Sequence, residues 1–185
     1  MVSAATQTSG KKKSSVKSSQ KKLTLHDLAT MSPDELAQLY QEGTVPTSMA
    51  PLNGSPVGRM LTFVGFAGKP AIAKWIGRYS ASDKFFWDGK NFASENGGDG
   101  TGNNRVWLFG RRELFPFTTR FEPSAIDGKS CILLDYDQPK NPFFIRRVRD
   151  ELREVSDKLF LGPAMAEIGG QPRLVLWFAV DNTGS

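Results

Sequence analysis

Two aspartates separated by one residue are the strongest candidates for chemistry in this sequence. Asp135 and Asp137 end an apolar run, and side chains at i and i+2 of a strand share one face. If that face lines a cavity, Asp135 needs a cationic or hydrogen-bonding partner, for which Arg120 and Arg146 are the candidates. Asp135 would then orient a ligand or serve as a general acid or base. The simpler alternative is that both aspartates end a strand, face solvent and cap the following turn.

Aromatic side chains are abundant on the segments that we expect to be strands. The chain contains thirteen Phe, four Trp and three Tyr, and core packing is the default role for most of them. If several face inward in a curved sheet, they line an apolar pocket with few polar groups. The aromatic candidates for such a pocket are Trp87, Phe92, Trp107, Phe109, Phe117 and Trp177. All of these except Phe109 join Arg120, Asp135 and Arg146 in the predicted ligand site.

The composition argues against several classes of site. One cysteine, Cys131, excludes an internal disulfide and a multi-cysteine metal site, and one histidine, His26, excludes zinc sites with several imidazoles. The glycine-rich stretch 97–102 lacks the Lys-Ser/Thr pair of a phosphate-binding loop and the spaced carboxylates of a calcium loop. It is instead typical of a mobile hairpin loop or a flap over a cavity mouth. We therefore expect no metal and no cofactor.

Positive charge is concentrated at the N-terminus. Residues 1–22 carry six of the 24 Lys and Arg residues and no acid, whereas the rest of the chain has 18 basic and 19 acidic residues. The folded part therefore offers no excess charge to a phosphate backbone, and we expect no specific nucleic-acid partner. A Lys/Ser/Gln segment buries too little apolar surface to fold, so residues 1–22 are predicted to be disordered. Three roles stay open for them: solubilising the chain, weak contact with an anionic surface, or a transit peptide.

The sequence has neither the pattern of a transmembrane helix nor that of a secretory signal. No stretch approaches about 18 consecutive apolar residues, so no transmembrane helix is expected. The first ten residues lack the apolar core of a secretory signal, and a single reduced cysteine fits a reducing compartment. We therefore expect a cytoplasmic protein.

Two short helices are predicted ahead of the strands. Thr24 can cap a helical turn over residues 25–29. The sequence Ser32-Pro33-Asp34-Glu35 is a capping box with proline at the first helical position, and it predicts a helix over about residues 33–42. A helix this short is not stable alone, and we therefore expect it to pack against the rest of the domain. Residues 44–58, rich in Pro and Gly, are predicted to form an extended connector.

The rest of the chain has mostly the pattern of strands. Turn signals at Asp88-Gly89, Asp127-Gly128 and Gly169-Gly170 predict three hairpins, and residues 96–104 predict a loose loop. Apolar residues at helical spacing over 141–155 predict either a helix that interrupts the strands or a helical turn that leads into a strand. About eight short strands predict a mainly β fold. This fold is an antiparallel barrel or strongly curved sheet with one or two short helices, in a single domain over residues 23–185.

The order of several motifs distantly resembles a known family. A short helix with a Leu-x-x-Leu-Tyr stripe precedes Gly58-Arg59-Met60 and Trp87-Asp88-Gly89-Lys90-Asn91-Phe92. An Asp-Gly hairpin, Leu134-Asp135-Tyr136-Asp137 and Phe143-Phe144-Ile145-Arg146 follow. Over residues 33–181 the chain resembles the small bacterial proteins built from the GXWXG domain and the uncharacterised domain that usually follows it. The resemblance implies a calycin-like barrel, similar to lipocalins or fatty-acid-binding proteins, with no assigned activity.

These observations favour a binding module for a small apolar or amphipathic molecule held in a barrel cavity. One alternative is an isomerase or cyclase that acts on a hydrophobic substrate without a metal. In that enzyme Asp135 would be the acid or base, with Arg120 or Arg146 as its charge partner. A further alternative is a protein-interaction module that uses the basic N-terminal tail.

Overall fold

The structure is a computed structural model that describes residues 22–64, 85–108 and 110–184. The predicted disordered tail, apart from Lys22, and the aromatic candidate Phe109 lie outside the described residues.

The described residues form a closed barrel of eight strands in which each strand pairs with its neighbours in the chain and β1 pairs with β8. All of these pairings are antiparallel. The strands are β1 (Val57–Phe63), β2 (Phe85–Ser94), β3 (Gly100–Leu108), β4 (Arg111–Pro123), β5 (Ser130–Asp135), β6 (Val148–Ser156), β7 (Leu159–Ile168) and β8 (Gln171–Asp181). Helices α1 (Leu25–Leu28) and α2 (Pro33–Glu42) precede them, and short 3-10 turns occur at Ala50–Leu52 and Ile145–Arg147. The predicted mainly β fold is confirmed.

Two of the three predicted hairpins are present. Asp127-Gly128 lies in the turn between β4 and β5, and Gly169-Gly170 joins β7 to β8. Gly128, Gly169 and Gly170 all have φ between 64° and 76°. Glycine adopts this left-handed conformation without steric cost, so these turns follow directly from the local sequence.

The third hairpin prediction is wrong, because Asp88-Gly89 forms a β-bulge inside the continuous strand β2. The pairing with β3 shifts register between Trp87 and Gly89, and Gly89 has a φ of 127°. A bulge adds one residue to one strand and reverses the inward and outward alternation beyond it. The bulge therefore places the side chains of Trp87 and Lys90 on the same, inner side of the barrel. The predicted loose loop over 96–104 is also shorter, since β3 begins at Gly100.

Of the two predictions for residues 141–155, the continuous helix is wrong and the helical turn that leads into a strand is confirmed, since the 3-10 turn Ile145–Arg147 runs directly into β6. Asp150 and Leu152 face the barrel interior, whereas Glu151 and Arg153 face outward. Asp150 and Arg153, which could form i, i+4 pairs in a helix, instead pair with Lys90 of β2 and with Asp127 of the β4–β5 turn. Tertiary pairing thus overrides the local helical pattern.

Both predicted helices are present and pack on the outer wall of the barrel. Each begins with a capping box, at Thr24 and at Ser32. Leu36 and Tyr40 of α2 are fully buried, and the Tyr40 ring lies 5.5 Å from that of Trp177 on β8. These residues belong to an apolar cluster outside the barrel interior, and packing in this cluster explains why so short a helix is stable here.

A polar network under α2 joins the helix to β6. Tyr40 donates a hydrogen bond to Oε2 of Glu151 at 2.8 Å, and Ser124 donates to the same oxygen at 2.5 Å. The other carboxylate oxygen accepts from the Ala125 N–H and from Arg149, both at 2.8 Å. Burial raises the pKa of Glu151, but these four hydrogen bonds outweigh it and set the pKa below its ordinary value.

Replacing Glu151 with Gln tests this network through its pH dependence. A carboxyl whose folded pKa is lowered stabilises the protein above its unfolded pKa, and that stabilisation is lost as pH falls through the folded pKa. Glu151→Gln is expected to lower the free energy of unfolding by about 2 kcal/mol at neutral pH, with the difference from wild type shrinking in acid. Urea denaturation at several pH values measures the free energy of unfolding and its pH dependence. The Glu167→Gln variant, at an exposed position, is the control. If the free energies of unfolding of Glu151→Gln and wild type differed by the same amount at every pH, the lowered pKa of Glu151 would be contradicted.

Candidate functional site

In the part of the chain that the structure describes, buried side chains form a packed cluster in the interior of the barrel. Its lining is mostly apolar and aromatic, and includes Phe117, Leu134, Leu152, Phe160 and Phe178. Such packing is typical of a small barrel, in which side chains from facing strands meet at the centre. The exception is a group of four polar residues at the centre of this interior.

Lys90 lies at the centre of this group. Its side chain is only 3% exposed, and its ammonium donates three hydrogen bonds. They run to Oδ1 of Asn104 at 2.9 Å, to the hydroxyl of Tyr136 at 2.6 Å and to Oδ2 of Asp150 at 2.9 Å. These four residues, which we call the lumenal cluster, come from β2, β3, β6 and the residue after β5. They therefore connect opposite walls of the barrel.

The remaining polar atoms of the lumenal cluster are largely satisfied within it. Tyr136 donates to Oδ2 of Asp150 at 3.0 Å, and Nδ2 of Asn104 donates to the Tyr136 hydroxyl at 3.1 Å. Trp87 donates its indole N–H to Oδ1 of Asn104 at 3.1 Å. Among the described residues, Oδ1 of Asp150 finds no hydrogen-bond partner although it is buried. The cluster thus offers one free acceptor, and no free donor on Lys90.

Four aromatic rings surround the Lys90 ammonium. Their centroids lie 4.9 Å away for Phe178 and 5.4 Å away for Trp87, Phe117 and Tyr136. The negative faces of aromatic rings attract a cation at these distances. With the carboxylate of Asp150, the rings form a complete cation site that is occupied by the protein's own lysine.

Burial dominates the electrostatics of the lumenal cluster. It lowers the pKa of Lys90, and the neighbouring Asp150 carboxylate opposes that shift. Burial and the same carboxylate both raise the pKa of Tyr136, which therefore stays protonated and acts as a donor. An added anion would meet the Asp150 carboxylate in a medium of low dielectric, so the interior disfavours anionic ligands.

An open groove lies near one end of the barrel, outside the lumenal cluster. It arises because Gly100, the first residue of β3, pairs with Thr119, whereas β4 continues to Pro123. The groove has a volume of about 790 Å³ and is lined by Asn53 and by residues 92–95, 99–101 and 118–120. We call it the mouth groove.

The mouth groove is lined by residues from both faces of the sheet. Phe92 and Thr119 point into the barrel and are buried, whereas Thr101 and Thr118 point outward and supply hydroxyl groups. The Phe92 ring packs 5.4 Å from the Phe117 ring, which itself contacts the lumenal cluster. The groove is therefore continuous with the barrel core through side-chain packing, although Lys90 does not line it.

The charges that line the mouth groove are mainly acidic or already paired. Arg120 binds Asp135 at 2.8 Å and Glu122 at 3.0 Å. Burial raises the pKa of Asp135, but the hydrogen bonds from Arg120 and from the N–H of Asp137 outweigh it, so that this pKa is lowered. Glu95 and the neighbouring Asp99 are exposed at the edge of the groove.

Three of the predicted ligand-site aromatics face the interior, and one predicted arginine lines the mouth groove. Trp87, Phe92 and Phe117 are buried in the interior cluster. Arg120 lies in the groove wall near Phe92. Their role in ligand binding stays a prediction, and the sequence pattern did not show which polar groups lie at the centre of the interior.

The other predicted site residues lie elsewhere. Trp107 is 52% exposed on the outer face, and Trp177 is buried in the cluster beneath the helices rather than in the interior. Asp135 also faces outward, because Leu134 and Tyr136 on either side of it point inward. Arg146 is exposed and pairs with Asp137 at 2.6 Å. The predicted anchor of Asp135 with Arg146 is therefore not formed, and Asp135 is not an interior acid.

Sequence reasoning missed the lumenal cluster. A lone lysine on a strand usually faces solvent, and Lys90 is out of phase with Trp87 unless a bulge intervenes. Asp150 lies in the segment 141–155, for which the apolar spacing predicts a helix. The one sequence signal that Lys90 faces inward is its i, i+2 spacing from Phe92, whose side chain faces inward.

Metal and thiol chemistry find no centre in the described part of the chain. No three His, Cys, Asp or Glu side chains come together there as a metal site. Cys131 is buried, and burial raises the pKa of its thiol to about 12, so it stays protonated. In residues 22–64, 85–108 and 110–184, no helix has the length and apolar character needed to cross a bilayer.

Comparison with known proteins gives one structural similarity. No protein-family model matches the sequence, and no curated protein matches it. A crystal structure of a protein from Thermomonospora curvata is similar, with 18% sequence identity and a TM-score of 0.46. The similarity covers 82% of this chain and 87% of that one.

Removing the Lys90 ammonium tests the importance of the lumenal cluster. Lys90→Met keeps most of the side-chain volume but leaves a buried, unpaired Asp150 carboxylate, and is expected to cost about 3–5 kcal/mol of stability. The double variant Lys90→Met/Asp150→Asn removes both charges and should cost less than the single one. Urea denaturation measures each value.

Lys129→Met is the matched control, because Lys129 is exposed, and it should change stability by less than about 0.5 kcal/mol. A Lys90→Met variant as stable as this control would show that the ion pair contributes little.

Proposed function

We propose that the barrel binds a small amphipathic molecule, neutral or cationic, in the mouth groove. The observation that carries the proposal is an open groove at the end of the barrel, lined by Phe92 and Thr119 of the inner face and by Thr101 and Thr118 of the outer face. This lining offers hydroxyl groups for hydrogen bonds beside an aromatic ring that an apolar group can contact. Its volume of about 790 Å³ lies within the range of roughly 300–1,000 Å³ that is typical of ligand sites.

The charged residues that line the mouth groove determine whether it favours anionic, neutral or cationic ligands. Arg120, the cation in the lining, already binds two carboxylates, so it has little capacity left for an anionic ligand. Glu95 and Asp99 add negative charge at the rim. Repulsion in a partly desolvated groove therefore disfavours carboxylates and phosphates, whereas hydroxyl and ammonium donors find acceptors.

The proposal differs from acid–base catalysis by Asp135. That carboxylate is half-buried on the outer face, is paired with Arg120 and has a lowered pKa, so it is a poor proton donor near neutral pH. The resemblance to GXWXG-domain proteins, the cytoplasmic location and the contact of the N-terminal tail with an anionic surface stay predictions.

Three probes with the same alkyl chain test the proposal: octyl glucoside, octyltrimethylammonium and octanoate, each below its micelle concentration. In NMR titrations of the full chain, the first two are expected to cause saturable shifts in the amides of residues 92–95, 99–101 and 118–120. Octanoate should bind at least about tenfold more weakly, because of the charges at the rim. Equal binding of all three, or no saturable shift at the groove, would contradict the proposal.

A blocking variant identifies the site. Thr101 is exposed and lines the groove, so Thr101→Trp fills the groove without disturbing the core. It is expected to weaken octyl glucoside binding about tenfold or more. Glu167→Trp adds the same side chain at an exposed position of β7 and should leave binding unchanged. If both variants bind as wild type does, the probe occupies another place.

A further inference from the structure

The two ends of the barrel differ in charge. Because neighbouring strands are antiparallel, the ends of β1, β3, β5 and β7 lie together with the starts of β4, β6 and β8. Among the described residues of this end, 60–64, 107–108, 110–112, 136–148 and 166–173 contain six Arg or Lys residues and two acids. At the opposite end, the connections over 95–99, 122–130, 156–159 and 181–184 contain two lysines and six acids. We call these ends the basic rim and the acidic rim.

Large apolar side chains are exposed at the basic rim. Phe143 is 68% exposed in the connection between β5 and β6, and Phe144 beside it is 42% exposed. Phe63 and Val64 at the end of β1 and Trp107 near the end of β3 are exposed as well. Several exposed apolar side chains grouped at one end mark a surface that contacts something other than water.

The arginines of the basic rim alternate with these apolar side chains. Arg147 lies over the Phe143 ring, with its guanidinium carbon 4.5 Å from the ring centroid. Arg146 is exposed and pairs with Asp137, while the Arg111 side chain is 77% exposed and lies 3.7 Å from Asp88. The remaining basic residues of the rim, all exposed, are Arg112, Lys140 and Arg173. These two ion pairs involve only Arg146 and Arg111, so most of the positive charge of the basic rim is available to a binding partner.

We infer that the basic rim docks on the surface of an anionic phospholipid bilayer. Arginines at the level of the headgroups bind phosphate and carboxylate groups, and aromatic rings between them enter the boundary with the acyl chains. A nucleic acid would satisfy the arginines equally well, but it offers no acyl chains to cover an exposed ring such as Phe143. The combination of charge with exposed rings therefore favours the bilayer.

Binding to vesicles tests this inference with the full chain. We expect it to bind mixed phosphatidylcholine/phosphatidylserine vesicles and to bind pure phosphatidylcholine vesicles much more weakly in co-sedimentation. One basic residue near such a surface raises partitioning about fivefold, so the double variant Arg146→Glu/Arg147→Glu should lower it by about 25-fold or more. Circular dichroism melting checks that the variant is folded.

The matched control reverses the same number of charges at the acidic rim. Lys22 pairs with Asp157, and Lys129 lies in the turn between β4 and β5, so Lys22→Glu/Lys129→Glu makes an equal change in net charge at the other end. It should lower partitioning by less than about fivefold. Equal losses in the two double variants, or no binding of wild type to the mixed vesicles, would overturn the inference, since net charge or the tail would then explain the result.

The aromatic part of the inference has its own test. At high salt, where charge is screened, Phe143→Ser should lower the remaining vesicle binding several-fold. Unchanged binding at high salt would show that the ring does not enter the bilayer. Duplex DNA supplies the competing outcome: if it binds the chain at the same arginines while the vesicles do not, the surface is a nucleic-acid site and the inference is overturned.

Discussion

The ion pair between Lys90 and Asp150 is the constraint on which the barrel interior depends. An ammonium and a carboxylate are costly to bury alone. Here Lys90 and Asp150 compensate each other, Tyr136 hydrogen-bonds to both, and Asn104 and four aromatic rings also stabilise the ammonium. A shift of β2 or β6 by one residue would point one charge outward and leave the other unpaired. The pair therefore specifies the register of strands that lie on opposite sides of the barrel. It also explains the bulge at Gly89, without which Lys90 would face solvent.

Strand β6 connects the lumenal cluster to the polar network on the outer wall of the barrel. Asp150 faces the interior and Glu151 faces α2, so two consecutive acids serve two separate networks. The helix is held where Tyr40 reaches Glu151, and the strand is held where Asp150 reaches Lys90. A displacement of β6 would break both networks at once. The N-terminal helices are therefore part of the same cooperative unit as the barrel, although their apolar contacts lie entirely outside it.

Much of the fold could be predicted from local sequence signals, but the polar centre of the interior could not. The capping box at Ser32 and the turns at Gly128 and Gly169 depend on residues adjacent in the chain, and the structure confirms them. By contrast, Lys90 and Asp150 are 60 residues apart, and each has the local pattern of a solvated side chain. Their burial follows from pairing across the barrel, which a single sequence does not show. The same limit misplaced Asp135, because the strand alternation does not say which face is inward.

The filled interior and the charge of the two ends together constrain what the molecule can take up. Because Lys90 and Asp150 occupy the centre of the described barrel interior, the site proposed for a small molecule is the open mouth groove. The β2–β3 connection that borders this groove belongs to the acidic rim, at the opposite end from Phe143 and the arginines. A barrel that rests on a bilayer through the basic rim would therefore hold the groove away from the membrane. Its ligand would then arrive from water, which fits a soluble neutral or cationic amphiphile better than a lipid drawn directly from the bilayer.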